Sequence, residues 1–488
     1  MLQCQFIRHS ILRVRYAFLL AAALVALANG ASARELNLVF TETQDRVPPK
    51  PQGVAKGENQ NAATQPTRKH VVGLITVTLG EGYFRIKRDG GVQWYDIADR
   101  RIYTRENDSN EWASTSLFSD LGFKIGEFRN RQAIGRALKA GGVTDPIVAI
   151  MGDPFELQTL FGFCLPQDRS GSTAGTISML ARDGGWSFRK GEREVVFFKP
   201  SATDVPASGL ASYHLWLAYF SRMHPDIRAR IVSHGRVPQT LSTRWFDSGT
   251  HGTTTLELKA ADKYEGNTRA PSAGNDVRPG GDADLIRRVK SACDRGAWAH
   301  YPTAASDLRF AKEAMAAGRN LDGLLALFEI SFETTKDVVP TIRQYHREIS
   351  QDPGCREFLK GMDQSSRSGL EASVAVLRTI DRRGLERAYI VDIHLADALA
   401  SLGKSDEAEK LFLSILDKNP LLVGVWNDLG NLYFESHDMP RAWVCWDTAR
   451  EICPRHPLLK RISQMEERMH VDFPDFFLPA THRAVSPD

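Results

Sequence analysis

Phe246-Asp247-Ser248-Gly249-Thr250 is the stretch of this 488-residue chain whose residue types come nearest to a catalytic acid. An aspartate on a tight turn activates water when a second carboxylate lies against it, because the pair then shares one proton and holds an acid and a base together. The chain has no second copy of the segment, so such a pair would require a homodimer. Ser233-His234-Gly235 and Thr250-His251-Gly252 are turn-like and flank Trp245. If they bring His234 and His251 together, these two with Asp247 form an acid/histidine site for a hydrolase, or a ligand set for a metal. The spacing of 17 (251 − 234) matches no helical metal motif such as H-E-x-x-H, and no G-x-S-x-G elbow mounts a serine. The plainer reading is a hairpin turn with two loop histidines. It is the reading adopted, with no catalytic residue, metal or cofactor expected and Asp247, His234 and His251 kept as the alternative.

Residues 246–250 are similar to the hydrophobic-Asp-Thr/Ser-Gly-Ser/Thr signature of aspartic proteases, which would imply acid-pair hydrolysis. The segment before the aspartate, Ser242-Thr243-Arg244-Trp245, departs from the apolar strand of that signature. Gly80-Glu81-Gly82 and Asp89-Gly90-Gly91 are glycine turns without the spacing of a dinucleotide fingerprint, and no phosphate-loop sequence occurs. Arg100-Arg101 with Tyr103, and Arg129, Arg131 and Arg136, read as solvent-facing charge. Of the formal net charge of +3, three positive charges (Arg8, Arg13, Arg15) belong to the N-terminal leader, so the remainder is neutral and no nucleic-acid partner is expected.

Those residues belong to an α+β body placed at residues 70–261. Val71–Leu79, Tyr83–Lys87, Val92–Ile97 and Arg101–Thr104 alternate or run apolar between glycine turns, the pattern of an antiparallel meander. Ile125–Ala140 is a helix stopped by Gly141-Gly142, and Asp153-Pro154 with Glu156 is an N-cap with a capping-box pattern. Ile147–Met151 and Glu194–Lys199 are apolar strands. Leu210–Met223 is a helix ending before Pro225; Ile227–Val232, Leu241–Phe246 and Thr253–Leu258 complete the strand-like segments. Residues 262–284, rich in glycine and proline, form the linker to the next domain.

The strongest order lies further on. Ala408 and Ala442, Phe412 and Trp446, and Pro420 and Pro454 recur 34 residues apart (442 − 408). In the second unit Trp426, Leu429, Gly430 and Tyr433 line one helix and Ala442 and Trp446 the next, before Pro454. The first unit gives Leu395, Ala396, Leu399, Ala408, Phe412 and Pro420 in the same register. Spacings of three and four put these side chains on one stripe of each helix, and small residues such as Gly430 and Ala442 let two helices approach. Ala311, Gly318, Gly323, Leu327 and Ile330 echo the first unit further upstream.

The second unit resembles the tetratricopeptide repeat, with its W-x2-L-G-x2-Y, A-x3-F and terminal proline. The first departs at Asp392 and Ala396. The resemblance implies an all-α helical-repeat domain at residues 285–469 behind the α+β body, followed by a tail at 470–488. It also implies a groove that binds a protein or peptide, whose candidate contacts are His394, Asp397, Asn427, Asp428 and Asn431.

Arg8, Arg13 and Arg15 before the apolar run Ala17–Ala28, and Ala31-Ser32-Ala33 after it, predict a signal peptide at residues 1–33, leaving an exposed segment at 34–69. Twelve apolar residues span roughly 18 Å as a helix, short of the roughly 30 Å of a bilayer core, so no transmembrane span is expected in the mature chain. The five cysteines beyond the leader form no even framework; Cys293 and Cys355 are either a staple or two separate thiols. The sequence therefore reads as a periplasmic or secreted scaffold or adaptor that binds an envelope protein or peptide, with a hydrolase seated in the body as the alternative.

Overall fold

The protein is described by a computed structural model that covers residues 35–47, 69–143, 152–171, 177–247, 250–264, 271, 277–279, 283–335, 337–362 and 366–478. The leader, the strand expected at Ile147–Met151, most of the linker at 262–284 and the end of the C-terminal tail lie wholly or partly outside them.

The described strands are, in chain order, β1 (Glu35–Val47), β2 (Lys69–Gly80), β3 (Tyr83–Arg88), β4 (Gly91–Asp96), β5 (Arg101–Glu106), β6 (Trp112–Ser116), β7 (Ile177–Arg182), β8 (Gly185–Lys190), β9 (Arg193–Asp204), β10 (Arg236–Asp247), β11 (Thr250–Tyr264) and β12 (Val277–Pro279). The chain divides into two compact units. The first takes its described residues from 35–89 and 177–264, the second from 90–171 and 271–478.

In the first unit the order is β3-β2-β1-β11-β10-β9-β8-β7, antiparallel throughout. Alternation sets its inner face: Leu36, Leu38 and Phe40 of β1, Ile75, Val77 and Leu79 of β2, and Phe84 and Ile86 of β3 are all buried. The helix Leu210–Phe220 covers that face, with Trp216 stacked on Phe40 at a ring separation of 5.8 Å. It stops at Ser221, which turns extended, and Pro225 then opens a second helix, Pro225–Ser233. The strand-like reading of Ile227–Val232 is thus corrected. Its apolar residues are spaced for one helical stripe, burying Ile227 and Ile231, and His224 caps the start through Nδ1, which accepts from the Asp226 N–H at 3.2 Å.

In the second unit β4, β5 and β6 form an antiparallel meander and β12 joins β6 in parallel. Ser116 then caps a 24-residue helix, Leu117–Ala140, which starts eight residues before the expected Ile125. Asp153 caps Pro154–Phe161 as its sequence indicates, accepting from the Phe155 N–H at 2.8 Å.

The rest of the second unit is a series of short helices paired as hairpins: Ala304–Ala316 with Asn320–Glu333, Tyr389–Ser401 with Ser405–Leu416, and Val423–Glu435 with Met439–Ile452. Gly318 and Gly403 occupy equivalent turns at φ 78° and 76°, where a side chain would be strained. This is an antiparallel β-sheet region followed by a largely α-helical region with repeat-like pairing. The five cysteines beyond the leader are free thiols.

Candidate functional site

The 34-residue register is built by close helix contact. Leu395, Ala396, Leu399, Ala408, Phe412, Trp426, Leu429, Gly430, Tyr433, Ala442 and Trp446 are all buried. Pro420 is buried too, and its carbonyl accepts from the Trp426 indole at 2.8 Å; Pro454 is exposed. The sequence suggests that Gly430 faces Ala442, but the atoms nearest a Cβ at Gly430 belong to Trp446. Successive hairpins are tied by Glu409, which accepts from Tyr433 Oη at 2.8 Å and from Arg441 Nη1 at 3.0 Å.

Three of the five candidate contacts come together. Asp397, Asp428 and Asn431 line one cavity of ≈ 570 Å³ with Ser401, Phe412 and Glu435. The two aspartates stand on first helices of adjacent hairpins. Desolvation pushes Asp428 up to about 7, against the Asn427 amide that donates to its Oδ1 at 2.9 Å. Asp397 is raised as well, first by desolvation and then by the charge of Asp428. Two carboxylates held this way invite a cation or a hydrogen-bond donor between them.

The other two candidates point inward. His394 is wedged among Phe328, Phe332 and Phe358 at ring separations of 5.6, 5.8 and 5.4 Å, and burial lowers its pKa to about 4. Asn427 is buried, and its carbonyl accepts from the Trp446 indole at 3.3 Å.

The alternative site does not assemble around its histidines. His234 sits just before β10 and stacks on Trp186 at 4.1 Å, whereas His251 pairs with Phe246 near the far end of β10. Ten residues of strand separate the two ends, roughly 30 Å at the usual rise per residue. The ladder of β10 and β11 runs out to Asp247↔Thr250. The Asp247 side chain and Ser248-Gly249 lie outside the described residues.

A second acidic cluster went unseen in the sequence. Asp307, Glu329 and Glu333 each offer an oxygen within 4.8 Å of the others, a donor set of the type that holds a metal. Protein groups already engage it. Arg387 reaches Asp307 at 2.9 Å and Glu329 at 2.6 Å, Tyr389 donates to Glu329, and Asn419 donates to Glu329 at 2.9 Å and to Glu333 at 3.2 Å. The guanidinium supplies one counter-charge and the phenol and amide supply further donors, so these residues tie together the Ala304–Ala316 and Asn320–Glu333 helices and the segments carrying Arg387 and Asn419. The available signal was Glu329 and Glu333, one helical turn apart in an otherwise apolar run.

No protein-family model matches the chain, and no curated protein matches it. A solved structure of lipid-protein interactions in lipovitellin aligns at 9% identity and TM-score 0.17, over 92% of this chain and 55% of that one. This chain therefore spans about half the length of that relative, and a likeness of this degree carries no argument about fold or function.

Proposed function

We propose that the protein is an exported scaffold whose helical repeats dock a protein or peptide partner, with the Asp397–Asp428 cavity taking a lysine or arginine of that partner. One observation carries this: acidic and amide side chains from two adjacent hairpins converge on a cavity large enough for a long basic side chain. An ammonium or guanidinium between the carboxylates would offset the desolvation that raises both of them. The 34-residue register, which resembles the tetratricopeptide repeat, supports the same reading, since that family mostly mediates protein contacts. Export rests on the leader of residues 1–33, and a periplasmic or secreted location is part of the proposal. Among the described residues no helix is long and apolar enough to cross a membrane.

The test is fluorescence anisotropy of the full chain with labelled unstructured peptides that differ only in lysine or glutamate at one central position. The lysine peptide should bind more tightly, and Asp397→Asn with Asp428→Asn should weaken it by about tenfold, the worth of one charge-assisted pair. Equal binding of both peptides, or no change in the double variant, would refute the assignment.

A further inference from the structure

The inner face of the first unit changes character along its strands. On β1 the inward positions run Leu36, Leu38, Phe40 and then Glu42, Gln44 and Arg46; on β3 they run Phe84, Ile86 and then Arg88. Past the end of the Leu210–Phe220 helix, this polar stretch lines a cavity of ≈ 430 Å³ with Phe220, Arg222 and Trp245. Its floor includes the buried Leu241 and Leu256.

Two glycines pair with residues that line the cavity. Gly73 is the inward position of β2 after Ile75 and stands opposite Glu42; a Cβ there would meet only Asp89 Oδ2, at 3.9 Å. Gly252 pairs with both Arg46 and Trp245, and a Cβ on it would lie 2.5 Å from Trp245 Cζ2. The indole therefore lies down against β11, fixed by its Nε1–H donating to Thr254 Oγ1 at 3.1 Å.

Charge follows the same design. Three guanidiniums face one carboxylate among the described lining residues. Arg88 donates to Glu42 Oε1 at 3.2 Å, and Gln44 donates to that same oxygen at 2.8 Å. Arg46 donates to the neutral amide oxygen of Gln44 at 2.9 Å. Arg222 lies 4.7 Å from the Trp245 ring centroid, Arg46 lies 5.9 Å from it, and Arg88 lies 4.9 Å from that of Phe220. Guanidinium forks match the planar or tetrahedral oxygens of carboxylate and phosphate, and aromatic faces beside them suit a flat apolar body.

We infer that this cavity binds a small organic anion, an oxyanion head on the arginines with an apolar ring or chain against Trp245 and Phe220. The head is carried by either a free metabolite or a lipid headgroup, and the chemistry of recognition is the same. The site is separate from the proposed docking cavity and does not depend on it.

The experiment follows the Trp245 indole N–H resonance, assigned with Trp245→Phe, during titration of the full chain with phenyl phosphate, inorganic phosphate and benzyl alcohol. Phenyl phosphate should shift it saturably and more tightly than either fragment. Arg46→Gln with Arg88→Gln should raise the Kd by about tenfold, and Glu42→Gln, which keeps the acceptor for Gln44, should lower it. An equal shift by benzyl alcohol, or an unchanged Kd in the double arginine variant, would overturn the inference. Sedimentation with phosphatidylglycerol vesicles, competed by phenyl phosphate, identifies a headgroup as the source; phenyl phosphate binding without vesicle binding identifies a free anion.

Discussion

Trp446 occupies the space that any side chain at position 430 would need: a Cβ on Gly430 would lie 2.4 Å from its Nε1. The indole cannot step aside, since it is buried, donates to the Asn427 carbonyl and packs edge-on against Trp443 at 4.9 Å. Alanine is the better helix former by about 1 kcal/mol, but overpacking a closed core costs about 1–3 kcal/mol. Gly430→Ala should therefore lower the Tm of the helical unit. A rise in Tm would mean that propensity outweighs the contact.

Ala442 is fully buried at the same interface, so Ala442→Leu should also destabilise, by about 1–3 kcal/mol. Chemical denaturation of the full chain measures this, and an unchanged transition would count against the packing of Val423–Glu435 on Met439–Ile452.

Arg387 is the cation paired with both Asp307 and Glu329, which are fully buried. Removing one member of such a group leaves the others charged and unpaired, a loss of about 3–5 kcal/mol. Arg387→Met should show a loss of this size in denaturant. Adding Asp307→Asn and Glu329→Gln should recover much of it, because the stranded charges are then gone.

Glu333 gives the same cluster a pH dependence. Desolvation and the neighbouring Glu329 push its pKa up to about 9 from an ordinary value of 4.5. The folded state thus holds a proton that the unfolded chain releases, so stability from this group is complete below about 4.5 and is lost as pH rises through about 9. Above pH 6.5, beyond the range in which the buried histidines titrate, the wild-type Tm should fall toward pH 9, and Glu333→Gln, which can still accept from Asn419, should flatten that fall. An identical slope in the variant would place the titration elsewhere.

Legibility in the sequence divided along the range of the interactions. The cap at Asp153 and the strand patterns of β2 and β3 depend on neighbours a few residues away, and local pattern reveals them. The pairing of β1 with β11 joins Glu35 to Tyr264, and no local pattern specifies it. The same limit hid both polar clusters. Asn419 reaches Glu329 across 90 residues, and Arg88 reaches Glu42 across 46, so neither contact falls within a local sequence window. Asp397, Asp428 and Asn431 were legible because the repeat register itself puts them on corresponding helices, whereas His394 turned inward because three phenylalanines from other helices surround it.

Burial of His394 adds to the acid sensitivity of the helical unit, as does that of His456. Burial among those rings lowers the pKa of His394 from 6.5 to about 4, so between these values the unfolded chain binds a proton that the folded chain refuses. Stability from this group is present above about 6.5 and is lost as pH falls toward 4. His394→Phe keeps an aromatic ring against Phe328 and Phe358 and removes the titration, so its Tm should decline less than that of the wild type between pH 6.5 and 4. His224 is lowered to about 4 by burial as well and belongs to the first unit, so the fall that persists in His394→Phe should be reduced by a further His224→Asn, which retains a side-chain acceptor for the helix cap. If the double variant loses stability in acid as steeply as the wild type, neither buried imidazole governs acid unfolding.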